Sequence, residues 1–374
     1  MNFTISKTTF YNSLSLVSKA ISSTSPLPAL TGIKIDILED RLILTGASSE
    51  FSIRHEILVE HEINQLKIYE TGNILMDARN LLEIVRKLDS NSLTMETVDG
   101  LMVRITGNLA IFTLNSMVVD SYPKIDFSKP KTQLVLDRHL LADMIRQTSF
   151  ASSDRLTRPV LMGVNFSYDK HYLTAVATDS FRLARKQVPF ESDIDPFNIT
   201  IPKKALDEVV RLLEGDGELS IAMDTKKIQF ENESILIQSQ LLDDVFPETN
   251  RLIPINFVNE IIMNTNDLKS AIGRAIFIRM DGTSTVRMDI QEDNVLLTSQ
   301  SQEIGSSKET LMVNHFEGEP LRLSFSGKFM DEALRSINSS DVLIKFSGEL
   351  KPFLILNPQD ETLLQLILPV RTFD

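Results

Sequence analysis

Apolar residues recur at three- and four-residue spacing in three stretches that share one outline: DARNLLEIVRKLDSNSLTMET from Asp77, PKKALDEVVRLLEGDGELSIAM from Pro202 and SGKFMDEALRSINSSDVLIKF from Ser326. Leu81, Ile84, Val85 and Leu88 form the helical stripe of the first. Leu206, Val209, Val210 and Leu213 form that of the second, and Phe329, Ala333, Leu334 and Ile337 that of the third. In each, a polar turn then leads into alternating strand. Asn80, Lys204 and Lys328 stand at equal intervals of 124 residues, a period of domain size rather than of a solenoid. A second helix opens each copy, KTTFYNSL from Lys7, RHLLADMI from Arg138 and DLKSAIGR from Asp267. Strands are expected after them at Leu30–Ile35, Leu161–Phe166 and Thr285–Ile290, and short strands at Tyr122–Pro123 and Phe246–Pro247. Proline breaks the pattern inside SYPKIDFSKPKT and RLIPIN. The expected architecture is α+β, three similar domains (1–127, 128–254 and 255–374), each with two helices packed on antiparallel sheet.

The length of 374 residues supports this reading, since one hydrophobic core rarely grows so large. The chain has no Cys, which removes disulfides and thiolate metal sites. No apolar run nears the roughly 18 residues of a membrane span. MNFTISKTTF lacks the basic and apolar regions of a secretory signal. A cytoplasmic location, away from any membrane, is therefore expected.

The net charge of −13 at first opposes contact with nucleic acid. Its distribution reverses that. The windows 7–20, 78–88, 138–150, 203–213, 267–279 and 327–338 hold 15 Lys plus Arg against 7 Asp plus Glu, a balance of +8 that leaves −21 on the rest. Helices sharing one face would present a basic lining on an acidic body, engaging phosphates by charge alone. With neither a stacking box of aromatics nor a recognition helix, no readout of base sequence is expected. Each helix by itself could equally carry its cations on an ordinary solvated face.

Five segments then carry a family resemblance: LPALTGIKI from Leu27, TRPVLMGVNF from Thr157, AVATDSFRLA from Ala175, VFPETNRLIP from Val245 and LILPVRTF from Leu366. Together they resemble the bacterial DNA polymerase III beta subunit, the beta sliding clamp, over the whole chain. The resemblance implies a head-to-tail homodimeric ring of six domains around double-stranded DNA, with no catalysis and no cofactor of its own. Its implied partners are the polymerase III alpha subunit, the clamp loader, and other replication and repair proteins bearing a short peptide rich in Gln, Leu and Phe. Carried over by position, the peptide pocket comprises Leu161, Thr178, Ser180, Phe181, Arg182, Leu183, Pro247, Arg251, Leu252, Leu366, Leu368, Pro369, Val370 and Arg371. Its apolar wall would be Leu183, Pro247, Leu252, Leu366 and Leu368, with Arg182 and Arg251 at the rim. Phe181 stands where the family commonly has His. The DNA-contacting loop matches residues 149–160, with Arg155 and Arg158 as its cations. Thr24 takes a position that is Arg in some members, so duplex contact falls also on Lys7, Lys19, Arg79, Arg86, Arg146, Lys203 and Lys204. One side of the dimer seam matches Ile84, Phe112 and Leu114, and the other Phe277 and Ile278.

Catalytic signatures do not compete. His55 and His61 in HEILVEH stand six apart rather than the four of a zinc-binding helix, and the segment alternates as a strand. Neither a GxxxxGK[ST] phosphate loop nor a GxSxG elbow occurs, and the acidic pairs Asp193/Asp195 and Asp243/Asp244 read as solvated loops. A three-domain DNA-processing enzyme and a peptide-binding scaffold that never encircles DNA are the alternatives. Nuclease activity with a metal would favour the first, and retention on circular DNA would exclude the second.

Overall fold

A computed structural model describes the chain except for residues 23, 213–214, 279–283 and 372–374 and the side chain of Leu212. Leu213, placed on a helical stripe, and Arg279, counted with a basic window, lie outside the described residues.

Among the described residues there are six α-helices: α1 Lys7–Ser18, α2 Ala78–Lys87, α3 Arg138–Arg146, α4 Lys203–Leu212, α5 Thr265–Ala275 and α6 Gly327–Ser336. Local chemistry fixes their starts. Asp77 caps α2 by accepting the Asn80 N–H at 2.9 Å, and Asn264 caps α5 by accepting those of Asn266 and Asp267 at 3.0 Å. Arg86 and Lys87 occupy the last turn of α2, where the helix dipole favours cations.

By packing, the chain forms two compact units. The first comprises Met1–Arg138 with Arg211–Leu241, and the second His139–Val210 with the chain from Leu242 on. In the first, α1 and α2 pack together, burying Phe10, Leu14, Val17, Leu81 and Val85. One sheet there has five strands, ordered 67–70, 2–6, 92–99, 102–107, 110–115. The other has eight, ordered 132–137, 218–223, 227–232, 235–240, 51–58, 41–47, 32–37, 72–77. In the second unit, α5 and α6 bury Leu268, Ala271, Ile272, Met330, Ala333 and Leu334 in one core with Met288, Phe325 and Phe353. Truncating such a Leu to Ala costs about 2–5 kcal/mol. Its sheets have nine strands, ordered 197–202, 163–168, 172–178, 182–189, 360–367, 353–357, 341–346, 259–264, 315–318, and four, ordered 305–312, 294–301, 285–290, 321–326.

Both large sheets run through an antiparallel joint between consecutive repeats. Strand 51–58 pairs with 235–240, and strand 182–189 pairs with 360–367. The joints superpose in register, since Ser52 faces Gln238 as Leu183 faces Leu366, and Arg54 faces Leu236 as Arg185 faces Leu364. The next strands of the series, 305–312 and 110–115, end their sheets.

Four expectations need correction. The strands expected from Leu30 and Leu161 begin at Gly32 and Gly163, because Pro28 and Pro159 start 3-10 turns (Pro28–Thr31 and Pro159–Met162) in which proline's fixed φ suits the first position. Tyr122–Pro123 and Phe246–Pro247 lie outside the strands, beside the 3-10 turns Val119–Ser121 and Asn250–Leu252. The third copy, with no proline there, has its strand at Thr285–Ile290 as expected.

Candidate functional site

The second joint builds an apolar floor. Strand parity sets Leu183, Leu366 and Leu354 in a row on one sheet face. With Val176 and Leu364 they form a buried cluster, against which Phe246, Ile253, Phe257 and Leu356 pack. Leu161 and Thr178 are also buried. Of the other expected pocket residues, Phe181, Leu252, Val370, Pro247, Ser180, Arg251 and Arg371 are exposed, and Leu368 and Pro369 are half-buried. Leu252 is 54% exposed although its neighbour Ile253 rests on the floor. The tail is held from both sides, the Leu368 N–H donating to the Phe181 carbonyl at 2.9 Å and the Val370 N–H to that of Ser324 at 2.7 Å. Such a surface suits large apolar side chains entering from solvent. Phe246 and Ile253 were not singled out from sequence, although both lie inside VFPETNRLIP.

The turn at residues 179–181 delivers Phe181 to that surface. Ser180 takes a left-handed conformation (φ 78°), uncommon for a residue with a Cβ. The turn compensates locally. The Ser180 N–H donates to Thr178 Oγ1 at 3.1 Å, and the Asp179 carboxylate accepts the N–H groups of Phe181 at 2.9 Å and Arg182 at 3.1 Å. Asp179 is thus a turn-forming carboxylate.

Arg182 is not at the rim. One residue from Leu183, it projects from the opposite face and is only 7% exposed. There its Nε donates to Asp179 at 2.9 Å, its Nη1 to Glu332 on α6, and its Nη2 to the Phe150 carbonyl at 2.7 Å. Its guanidinium lies 4.4 Å from the Phe329 ring centroid and 5.5 Å from that of Phe150. It ties two repeats together on the sheet face opposite the apolar floor. Glu332 and Phe329 are the partners that sequence reasoning missed.

The expected DNA cations divide by unit. In the first, Lys19, Thr24, Arg79 and Arg86 are exposed, with Arg86 paired to Glu83 at 2.7 Å. Lys7 is committed elsewhere, its half-buried ammonium donating to the Leu88 carbonyl. In the second, Arg146, Arg155, Arg158 and Lys204 are exposed, while Lys203 is half-buried and paired to Asp207 at 2.6 Å. Of the seam residues, Phe112 lies on the end strand Ala110–Asn115 at 36% exposure, beside half-buried Leu114. Ile84 is half-buried, as is Ile278, and Phe277 just beyond α5 is 75% exposed. A cavity of about 790 Å³ lies in the first unit, lined by Lys34, Asp36, Arg54, Tyr122, Lys124 and Phe127 among others. It is mixed in polarity and contains none of the expected groove residues.

Three like two-helix segments, with sheets that run on from one repeat into the next inside each unit and an apolar cluster at the second joint, define a duplicated scaffold. Comparison with known proteins makes this specific. The N-terminal, central and C-terminal domains of the DNA polymerase III beta subunit match residues 1–126, 135–248 and 250–371. The Beta sliding clamp of Bacillus subtilis (strain 168) is 36% identical over 100% of both chains, and that of Staphylococcus aureus (strain N315) 34% over 100% of both. The crystal structure of the Bacillus subtilis DNA polymerase sliding clamp superposes with a TM-score of 0.95 at 35% identity over 100% of both chains. A sliding clamp from Bartonella birtlesii, solved bound to griselimycin, does so with a TM-score of 0.92 at 26% identity, also over 100% of both. The chain belongs to the DNA polymerase III beta subunit family, the beta sliding clamps.

Proposed function

We propose that this chain is the non-catalytic processivity clamp of a replicative DNA polymerase, closing as a head-to-tail dimer around duplex DNA. The observation that carries the reading is the repeated joint. Strands 51–58 and 182–189 each find their partner in the following repeat, whereas strand 305–312 of the third repeat and strand 110–115 of the first end their sheets. A second copy supplies the missing partner at each end, so the two copies complete one sheet pattern twice. Long strand edges left open invite such pairing, and a two-fold pair is the commonest closed assembly. Ile84, Phe112 and Leu114 would meet Phe277 and Ile278 of the other copy. The exposed helix cations and the Arg155/Arg158 loop supply contact with phosphate alone.

The groove over Leu183 and Leu366 takes the apolar anchors of a short peptide carried by the polymerase alpha subunit, the clamp loader and repair proteins, which compete for it. That a related clamp binds griselimycin supports a ligand groove on this fold. The deciding experiment is topological. Once loaded on nicked circular DNA the protein should stay bound through a high-salt wash and leave when the circle is cut. Equal release from circle and linear DNA would reject the ring.

A further inference from the structure

We propose that Arg185 is a carboxylate-recognising position of the groove, seating an acidic side chain of the docking peptide beside its apolar anchors; this rests on the peptide reading above. Arg185 follows Leu183 by two residues on the same sheet face, opposite Val176 on one side and Leu364 on the other, both part of the apolar floor. Its Nε is buried with no acceptor, and among the described residues its side chain makes no hydrogen bond or ion pair. Burial lowers its pKa, as expected of a cation stripped of water without a counter-charge. Asp243 and Asp244, which precede Phe246 in the linker over this face, remain exposed.

The equivalent position in the first unit shows what is missing. Arg54 occupies the same register between Thr45 and Leu236. It is ion-paired to Glu56 and covered by the Phe127 ring, whose centroid lies 5.6 Å from the guanidinium. Glu231 lies opposite Leu236 on the next strand. At the second joint the places of Glu56 and Glu231 are held by Gln187 and Leu356. The cation is kept and both carboxylates are gone. A half-buried, unpaired guanidinium is costly, and a carboxylate arriving in bidentate geometry in a low-dielectric setting recovers that cost. Because its neighbours are aliphatic, the ligand that brings the carboxylate must also present apolar surface. A peptide does so, and a nucleic-acid backbone does not.

The test uses the full chain and labelled, C-terminally amidated peptides with the same Leu and Phe anchors. One set carries Asp at each flanking position in turn, the other Asn, and affinity is read by fluorescence anisotropy. One Asp position should bind about fivefold to tenfold tighter than its Asn counterpart. Arg185→Gln should abolish that preference, and Arg185→Lys should retain part of it. A non-amidated arm separates a terminal carboxylate from a side-chain one. In wild-type protein the Arg185 Nε–H resonance should shift with the Asp peptide and not with the Asn peptide, a readout needing no variant to fold. Equal affinities at every position, or a preference that survives Arg185→Gln, would overturn the proposal. Failure of every peptide to bind, or binding indifferent to Leu252→Asp, would overturn the groove reading itself.

Discussion

Replacing Arg182 with Met should unfasten the second joint without removing a peptide contact. The substitution keeps an unbranched side chain between Phe150 and Phe329 but deletes three charge-assisted hydrogen bonds, to Asp179, Glu332 and the Phe150 carbonyl. Each such bond is worth about 1.5–3 kcal/mol in a buried setting, and breaking a buried pair costs about 3–5 kcal/mol. Glu332 is 28% exposed and Asp179 14%, so water recovers part of the loss once the cation is gone. Side-chain entropy changes the balance little, because ordering the Met costs about as much as ordering the Arg, roughly 1.5–2 kcal/mol. A net loss of about 3 kcal/mol follows. With no Trp in the chain, far-UV circular dichroism in urea reads global stability. Hydrogen exchange of amides in 182–189 and 360–367 reads the joint itself. In a Glu332→Leu background the same substitution should cost at least 1 kcal/mol less, because the pair is already broken. A stability loss under 1 kcal/mol, or a large drop in peptide affinity with stability intact, would return Arg182 to the rim of the groove.

Phe277→Asp should leave the protomer folded, since the ring is mostly exposed within one chain, yet weaken the dimer at least 100-fold by placing a charge in an apolar seam; sedimentation showing an unchanged dimer would displace the seam. Removing Arg155 and Arg158 together should weaken loading on all sequences alike and flatten the salt dependence by about one unit of slope per lost phosphate contact, and a sequence-selective effect would contradict charge-only binding. Leu252→Ala should cost about 1–3 kcal/mol of peptide binding with an unchanged melting temperature, whereas Leu183→Ala, cut from a buried floor, should destabilise the fold as well. His55 has a buried, unpartnered Nδ1, and burial lowers its pKa to about 4 from 6.5. The unfolded chain therefore binds the proton first, so this contribution is complete above about pH 6.5 and is lost as pH falls toward 4. It amounts to roughly 2–3 kcal/mol, and His55→Phe should flatten that limb of an acid-unfolding curve.

The helices were legible because their apolar stripes are long and regular, and the three-fold repeat because Asn80, Lys204 and Lys328 keep one interval through every intervening loop. The starts of the strands at Gly32 and Gly163 were not, since alternation of side chains carries no mark of the 3-10 turns that Pro28 and Pro159 impose. The place of Arg182 was half legible. Strand parity already sets it opposite Leu183, which excludes both from one wall. Its acceptor Glu332, 150 residues away, becomes visible only when the second and third repeats share a sheet. Family resemblance named Leu183 and Arg182 together and could not separate a buried floor residue from one on the opposite sheet face.

The two joints also differ in a way that restricts the proposed groove to the second. In the first, Ser52, Gln238 and Gln229 hold the register positions that Leu183, Leu366 and Leu354 hold in the second. Gln229 Nε2 donates to the carbonyls of Phe127 and Ser128, both at 3.2 Å, and to Gln238 Oε1 at 2.8 Å. Lys227 Nζ adds a bond to the Asp126 carbonyl at 2.8 Å. The linker over the first joint is thus fixed to the sheet by directional hydrogen bonds. Over the second joint, Phe246 and Ile253 of the corresponding linker rest on aliphatic side chains. Apolar contact tolerates exchange of one hydrophobic group for another, and a satisfied buried amide does not. Two polar-to-apolar differences per strand pair, on one backbone register, therefore exchange a hydrogen-bonded joint for an apolar one, the surface on which the proposed peptide would dock.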